Sequence, residues 1–215
     1  MLRYIYARDM HAFPKLRESM FRDRADQFKT RQGWDVHVDE YGFERDEYDA
    51  LDPLYVIWEN QNGLHGGSMR LLPTDGPTMV RDHFAHLIGP TPIISPQIWE
   101  CTRFCLTRNA EPRVAAALML AGGEVMRNYG IEHYLGVFDA RMERIYRAIG
   151  SEPRILGSEG EGREKISLGL WCFTDQARAR ISRRARLSPE ISQLWFERSL
   201  GDKKRRDEAV KTRAS

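Results

Sequence analysis

The chain has few of the residues that mark secreted, metal-bound or membrane-inserted proteins. Its 215 residues include three cysteines. Cys101, Cys105 and Cys172 are odd in number, lack metal-type spacing and lie in apolar segments, which predicts free thiols in a reducing compartment rather than a disulfide framework. His83 and His86 form an isolated H-x-x-H with no further ligand pattern around it, so no metal site is expected. Long apolar runs are also missing. The opening MLRYIYARDMHAF lacks the core of a signal peptide, and VAAALMLAGGEVM (114–126) is too short to span a bilayer. A cytoplasmic protein that does not enter membranes is expected. Neither charge sign dominates: 33 Lys and Arg stand against 31 Asp and Glu, a net +2, which argues against a nucleic-acid partner while allowing a local basic patch.

What is present is enough apolar material, 41% of residues, for one sizeable core. After a helix near 14–30 comes a polar, turn-rich stretch, RQGWDVHVDEYGFERDEYDALDP (31–53), longer than most connections in compact domains. LYVIWE (54–59) and GGSMRLL (66–72) read as an antiparallel strand pair. A proline-rich segment then runs to position 97 and reads as a surface excursion. IWECTRFCLT is strand-like, PRVAAALMLAGGEVMRNYG is a helix with Pro112 near its start and Gly130 at its end, and IEHYLGVFD is a further strand. Another helix opens at Asp139 as N-cap and stops at Gly150. The glycines of GSEGEGREK (157–165) lie between two strand-like runs and predict a hairpin loop. The order gives an α/β (α+β) class with a mixed, mainly antiparallel sheet flanked by helices. Residues 1–186 read as one domain. Residues 187–215 read as an amphipathic helix, with Ile191, Leu194 and Trp195 on its apolar side, followed beyond Gly201 by a charged, disordered tail.

The charged residues in apolar company are the informative ones. In PKLRESMFRDRADQFKTRQGW, Leu16, Met20, Arg24 and Phe28 are each four apart and share one helix face, so Arg24 points inward. Such an arginine either snorkels to water or is buried against carboxylates. Arg70 and Arg103 likewise sit inside strand-like runs. Asp46 and Asp49, three apart in ERDEYD, can converge on one turn, and Glu100 shares a strand with Arg103. Three arginines matched by Asp46, Asp49 and Glu100 would form an interior cluster without net charge, the condition under which burial is tolerable.

These residues resemble the acyl-homoserine lactone synthases, the autoinducer synthases of bacterial quorum sensing. The arginine, the phenylalanine four on and the tryptophan six beyond it match at Arg24, Phe28 and Trp34. The E-x-D-x-Y-D stretch matches at Glu44, Asp46 and Asp49, the strand arginine at Arg70, and E-x-x-R-F at Glu100, Arg103 and Phe104. The resemblance runs from the first helix to about position 171. It implies a fold related to the GCN5-type N-acyltransferases. It also implies a reaction in which the amine of S-adenosylmethionine is acylated by a fatty acyl thioester. The carboxylate of that intermediate then closes the lactone and expels methylthioadenosine. S-adenosylmethionine is then a substrate, and no cofactor is expected.

An amine attacks only when deprotonated, and a thioester oxyanion needs donors. Glu100 is the expected base, with Arg103 and Asp46 beside it. Arg24, Phe28, Trp34, Asp46, Asp49, Arg70 and Phe104 are the expected S-adenosylmethionine pocket, the aromatics facing the adenosyl group and the sulfonium. Placement suggests an acyl tunnel between the sheet and the helix at 112–129, lined by Ala117, Leu118, Ala121 and Gly122 with Leu135 and Val137 opposite. The family takes its acyl group from acyl carrier protein or, in some members, acyl-coenzyme A. The arginine run RARISRRAR (178–186), with Arg154 and Lys165 ahead of it, is either a solvated helix face or a surface that steers the acidic donor. Carrier protein is the favoured donor. The alternative is an acetyl-coenzyme A N-acetyltransferase of the same fold, which LTRNAEPRVA (106–115) disfavours by having no glycine in the loop before the central helix.

Overall fold

A computed structural model describes residues 1–201; the charged tail expected after Gly201 lies outside the described residues. One seven-stranded sheet organises the chain. Strands β1 (Leu2–Tyr6), β2 (Leu54–Glu59), β3 (His65–Pro73) and β4 (Ile98–Leu106) form an antiparallel series, and β5 (His133–Asp139), β6 (Arg154–Glu159) and β7 (Ile166–Trp171) complete the order β1-β2-β3-β4-β5-β7-β6. Only β4 and β5 run parallel, and they pair only over Ile98–His133, Trp99–Tyr134 and Glu100–Leu135. Beyond these pairs the two strands have separated.

Helix α1 (Pro14–Ala25) lies on one face with its stripe inward: Leu16, Met20, Phe21 and Arg24 are buried, and the first three pack on Ile5, Tyr55 and Ile57. The helix continues as a π-helical turn over 26–31, in which Gln32 N donates to Gln27 O at 3.1 Å. Across the sheet runs α3 (Arg113–Tyr129), apolar nearly all round and therefore central. It ends at Gly130, whose φ of +66° closes the last turn. The next helix, α4 (Ala140–Ile149), is capped by Asp139, whose Oδ1 accepts Met142 N at 2.8 Å. Two further helices follow, α5 (Asp175–Ala185) and α6 (Pro189–Phe196).

Two expectations need correction. The segment ahead of β4 is more than a surface excursion: it folds into α2 (Met79–His83), buries Val80 and Leu87, and packs them on Leu135 and Leu168 of the sheet. Helix α6 keeps Trp195 of its expected apolar side on the core, where its ring meets Trp58 at 6.2 Å, but the rest of the buried face differs. Ser192 and Phe196 are buried, whereas Ile191 and Leu194 are 43% and 42% exposed. The cause is Tyr4 of β1, against which Phe196 sets its ring edge-on at 5.2 Å; a fixed aromatic partner outweighs the apolar tally of the isolated helix. Phe196 belongs to the same hydrophobic core as α3 and β1–β3. No helix among the described residues is long and apolar enough to cross a membrane.

Candidate active site

The charged residues converge at the end of α1, the turn at 46–49 and the middle of β3 and β4. Arg24 is 1% exposed. Its Nε donates to Glu44 Oε2 at 2.6 Å, while Nη1 and Nη2 donate to Asp49 Oδ1 and Oδ2 at 2.9 and 2.8 Å. This fork-to-fork geometry is what a guanidinium requires for burial. Arg70 donates to Thr102 Oγ1 at 3.0 Å, pairs through both Nη atoms with Asp46, and lies 2.9 Å from Asp49 Oδ1. Arg103 reaches Glu44 Oε1 at 2.9 Å and Asp46 Oδ2 at 2.7 Å through Nη2. Its backbone is left-handed, with φ +50°, where the β3–β4 register shifts between Ser68 and Arg70. The bulge re-aims the arginine toward the cluster.

Local chemistry sets the acidic turn. The Asp46 side chain caps it by accepting from Tyr48 N and Asp49 N, and Asp46 N in turn donates to Asp49 Oδ2 at 2.9 Å. Tyr55 adds its hydroxyl to Asp49 Oδ1 at 2.7 Å, and the Tyr48 ring lies 5.5 Å from the Arg70 guanidinium. Burial acts to raise the Asp49 carboxyl, but Arg24 and Arg70 outweigh it and hold the group far below the usual carboxylate range. Burial likewise disfavours the Arg24 cation, and Asp49 and Glu44 more than compensate.

Glu44, rather than Glu100, is the third acid that pairs with the arginines. Glu100 is equally buried, but its oxygens accept backbone N–H groups of α2, Val80 at 2.6 Å and Met79 at 3.1 Å. Burial raises its pKa, against the opposing effect of those two bonds. Arg24, Arg70 and Arg103 are therefore matched one for one by Glu44, Asp46 and Asp49, and Glu100 stands beside these ion pairs on the α2 amides rather than within them.

Phe28 and Trp34 stack at 5.2 Å with 13° between their planes, and the Arg103 guanidinium lies 5.4 Å from the Phe28 centroid. Phe28 is buried and Trp34 is 41% exposed, so the pair forms a wall open to solvent on one side. Phe104 stands apart from the group expected for it. Beyond the bulge its ring turns to the other face of the sheet and meets Tyr146 edge-on at 6.2 Å.

On that face an apolar slot opens where β4 and β5 separate, bordered by Met69, Cys101, Gly122, Tyr134, Val137 and Trp171. Of the expected tunnel residues, Gly122 borders it, Val137 lies at its edge but packs its side chain with the Leu135 cluster on the opposite face, and Ala117, Leu118 and Ala121 are completely buried in the core beneath α3. Leu135 is a correction: it packs on the opposite face with Val80, Leu87 and Leu168. Side chains alternate along a strand, and in β5 Tyr134 and Gly136 are the residues that face α3. A Cβ on Gly122 would come within 2.9 Å of the Met69 methyl, so glycine there keeps the slot open.

The arginine run divides in two. Arg178 pairs with buried Glu124 at 2.7 Å and is structural. Arg183 and Arg184 are exposed and line a cleft with Arg147 and Arg180, and this cleft shares Ser151 and Cys172 with the slot. His83 and His86 lie near different carboxylates, Glu47 and Glu159. The residues not anticipated from sequence are Thr102, Tyr48, Tyr55, Gln27 and the Met79 and Val80 amides. Tyr48 and Thr102 lay within the E-x-D-x-Y-D and E-x-x-R-F motifs; the others carry no local signal.

A sheet split between its fourth and fifth strands, with a central helix behind the split, defines an N-acyltransferase fold. An acyl-CoA N-acyltransferase from Pseudomonas aeruginosa shares it at TM-score 0.52 with 14% identity, over 80% of this chain and 99% of that one. A CoA-dependent acyl-homoserine lactone synthase, MesI, superposes at TM-score 0.76 with 25% identity, over 87% of this chain and 96% of that one. The acyl-homoserine-lactone synthase of Rhizobium etli is 39% identical over 183 residues, 81% of this chain and 86% of its own. A family model described as autoinducer synthase matches residues 9–181. The chain belongs to the autoinducer synthase family and is an acyltransferase of the acyl-homoserine-lactone synthase type.

Proposed function

We propose that the charge cluster binds S-adenosylmethionine and that Glu100 takes a proton from its ammonium, so that the amine attacks a fatty acyl thioester; the amide C–N bond forms, the C–S bond breaks, and the thiol leaves with the second proton. The observation that carries the reading is the buried, interlocked set of Arg24, Arg70 and Arg103 with Glu44, Asp46 and Asp49 beside the Phe28–Trp34 wall. S-adenosylmethionine brings a sulfonium, an ammonium and a carboxylate, and fixed charges of both signs offer a partner to each. Phe28 and Trp34 offer flat surfaces to the adenosyl group. Glu100 suits the base role because burial raises its affinity for a proton, and each of its oxygens keeps one lone pair beyond its backbone bond. Arg103 Nη1 lies 3.7 Å from the Met79 sulfur rather than against a carboxylate, which leaves N–H capacity for the thioester oxyanion. Asp46 anchors both Arg70 and Arg103. After acylation, the substrate carboxylate displaces the sulfonium from the γ-carbon, forming the lactone C–O bond and releasing methylthioadenosine. No cofactor enters this scheme.

The acyl chain occupies the slot at the β4–β5 split, and the donor's anionic portion lies in the adjoining arginine cleft. That cleft favours acyl carrier protein; MesI, described as CoA-dependent, keeps acyl-coenzyme A as the second reading. Both substrates are cytoplasmic, and the free thiols of Cys101, Cys105 and Cys172 suit that compartment. The test is incubation with S-adenosylmethionine and hexanoyl or octanoyl thioesters of carrier protein and of coenzyme A, with methylthioadenosine and lactone followed by mass spectrometry. Both products should appear only when an acyl thioester is supplied, and faster with the carrier. Steady acetyl transfer to an amine without methylthioadenosine would overturn the reading in favour of an N-acetyltransferase.

A further inference from the structure

Strand β4 keeps β3 beside it as far as Leu106 but loses β5 after Glu100. From Cys101 onward one edge of β4 has no neighbouring strand. Thr107 N donates to Gly66 O, which makes the adjacent Gly67–Leu106 pair non-hydrogen-bonded, so the Leu106 peptide groups turn away from β3 toward the open edge. Buried peptide groups without partners are costly, and here a side chain supplies them. Gln27 Nε2 donates to Phe104 O at 2.9 Å and Gln27 Oε1 accepts from Leu106 N at 2.9 Å, the donor and acceptor a paired strand would present. Arg31 Nη2 donates to Leu106 O at 2.8 Å and to Gln27 Oε1 at 3.3 Å.

Gln27 belongs to a seam that periodicity alone would assign to solvent. Ser19, Asp23, Gln27 and Arg31 are each four apart, next to the stripe that carries Arg24 and Phe28. Ser19 Oγ accepts His65 N at 2.9 Å, and Asp23 Oδ2 meets His65 Nδ1 at 2.6 Å. The seam docks on the ends of β3 and β4. Within it Gln27 alone links directly to Phe104, the residue after the bulged Arg103, while its chain neighbour Phe28 lies beneath the Arg103 guanidinium. Gln27 is 7% exposed, and its π-helical turn lets positions 27 and 31 face the strand while 24 and 28 face the pocket.

We infer that Gln27 is a positioning residue for acyl transfer. Its carboxamide replaces the missing strand beside β4 and holds residues 103–106 in register with the Arg24–Phe28 pocket, so that Arg103 and the amine meet the thioester at the split. This rests on the reading of the site given above. Asparagine is too short to reach both partners, leucine fills the space without bonds, and glutamate offers two acceptors until it is protonated, when it regains the donor.

The experiment compares wild type, Gln27→Leu and Gln27→Glu with S-adenosylmethionine and octanoyl-carrier protein, measuring kcat, KM and thermal melting between about pH 6 and pH 8. In Gln27→Leu, kcat should fall about 10- to 100-fold, the scale of a small misplacement of reacting groups, while KM for S-adenosylmethionine changes by less than about threefold. In Gln27→Glu, burial and the facing Phe104 carbonyl favour the protonated carboxyl, while Arg31, 3.3 Å from Oε1 and itself paired with Asp26, opposes them, so kcat relative to wild type should rise only toward the acid end of the range. The rise should come without a parallel rise in melting temperature, which a merely structural role would produce. Gln27→Leu retaining kcat within about threefold of wild type, or Gln27→Glu losing activity equally at every pH, would overturn the inference. Absence of methylthioadenosine release from the wild type would instead overturn the functional reading itself.

Discussion

Glu100 Oε1 accepts the backbone N–H of Val80 at 2.6 Å. The bond ties the strand that carries Arg103 to a short helix over the site, and it places the carboxylate where burial raises its pKa. A buried carboxylate held by amides is both an anchor and a candidate base, and the two roles are separable.

Glu100→Gln keeps the shape and one acceptor oxygen. Single-turnover acylation should fall by roughly two to four orders of magnitude while the protein stays folded. The wild-type rate should rise with pH through a pKa above the ordinary glutamate value of 4.5, and the residual rate of the variant should lack that limb. The stability sign is opposite: a folded pKa above the unfolded one means that the native state loses stability as pH rises through that range. Retention of most of the single-turnover rate would transfer the base role to Asp46 or a water.

Arg24→Met deletes the cation and leaves Glu44 and Asp49 buried without it. A loss of about 3–5 kcal/mol in denaturant unfolding is expected, as for other broken buried pairs, together with loss of activity. Asp49 is held far below its ordinary pKa, so in wild type its contribution is present above the unfolded carboxylate pKa and is lost as pH falls toward the folded one. The variant should show less of that acid dependence. An unfolding free energy within about 1 kcal/mol of wild type would show that the cluster relaxes around the gap.

The arginine run should separate by position. Arg178→Gln leaves Glu124 buried without its cation and should destabilise the fold by about 3 kcal/mol. Replacing Arg183 and Arg184 with glutamine should leave melting unchanged, raise KM for the carrier donor more than for S-adenosylmethionine, and do so less at high salt. Equal effects on the two KM values would identify a solvated face.

His65 is buried with Nδ1 on Asp23 and Nε2 2.9 Å from Ser68 Oγ. Burial lowers its pKa below 6.5, against the pull of Asp23. The unfolded chain therefore binds the proton more readily, and stability should fall as pH drops below about 6.5. His65→Gln should remove that decline from unfolding curves recorded between about pH 5 and pH 7. Parallel curves for the two proteins would sink the assignment.

The sequence determined most of the elements, though not β1 or α2, and five of the six members of the charged cluster, because these are written in short-range patterns. Positions 16, 20, 24 and 28 put Arg24 inward; Pro112, Gly130, Asp139 and Gly150 marked helix ends; the acid-rich 44–49 stretch and the strand arginines announced a buried ionic site. Which acid meets which arginine depended on tertiary packing. Glu44 took the place expected of Glu100 because α2, sequence-distant from β4, offered Glu100 two amides. Phe104 left the pocket because the left-handed turn at Arg103 shifts the strand by one residue, and in β5 the residues toward α3 are Tyr134 and Gly136 rather than Leu135. Gln27 had no local signal at all. Its partner is the edge that β4 exposes after parting from β5, and that edge exists only once the sheet has formed.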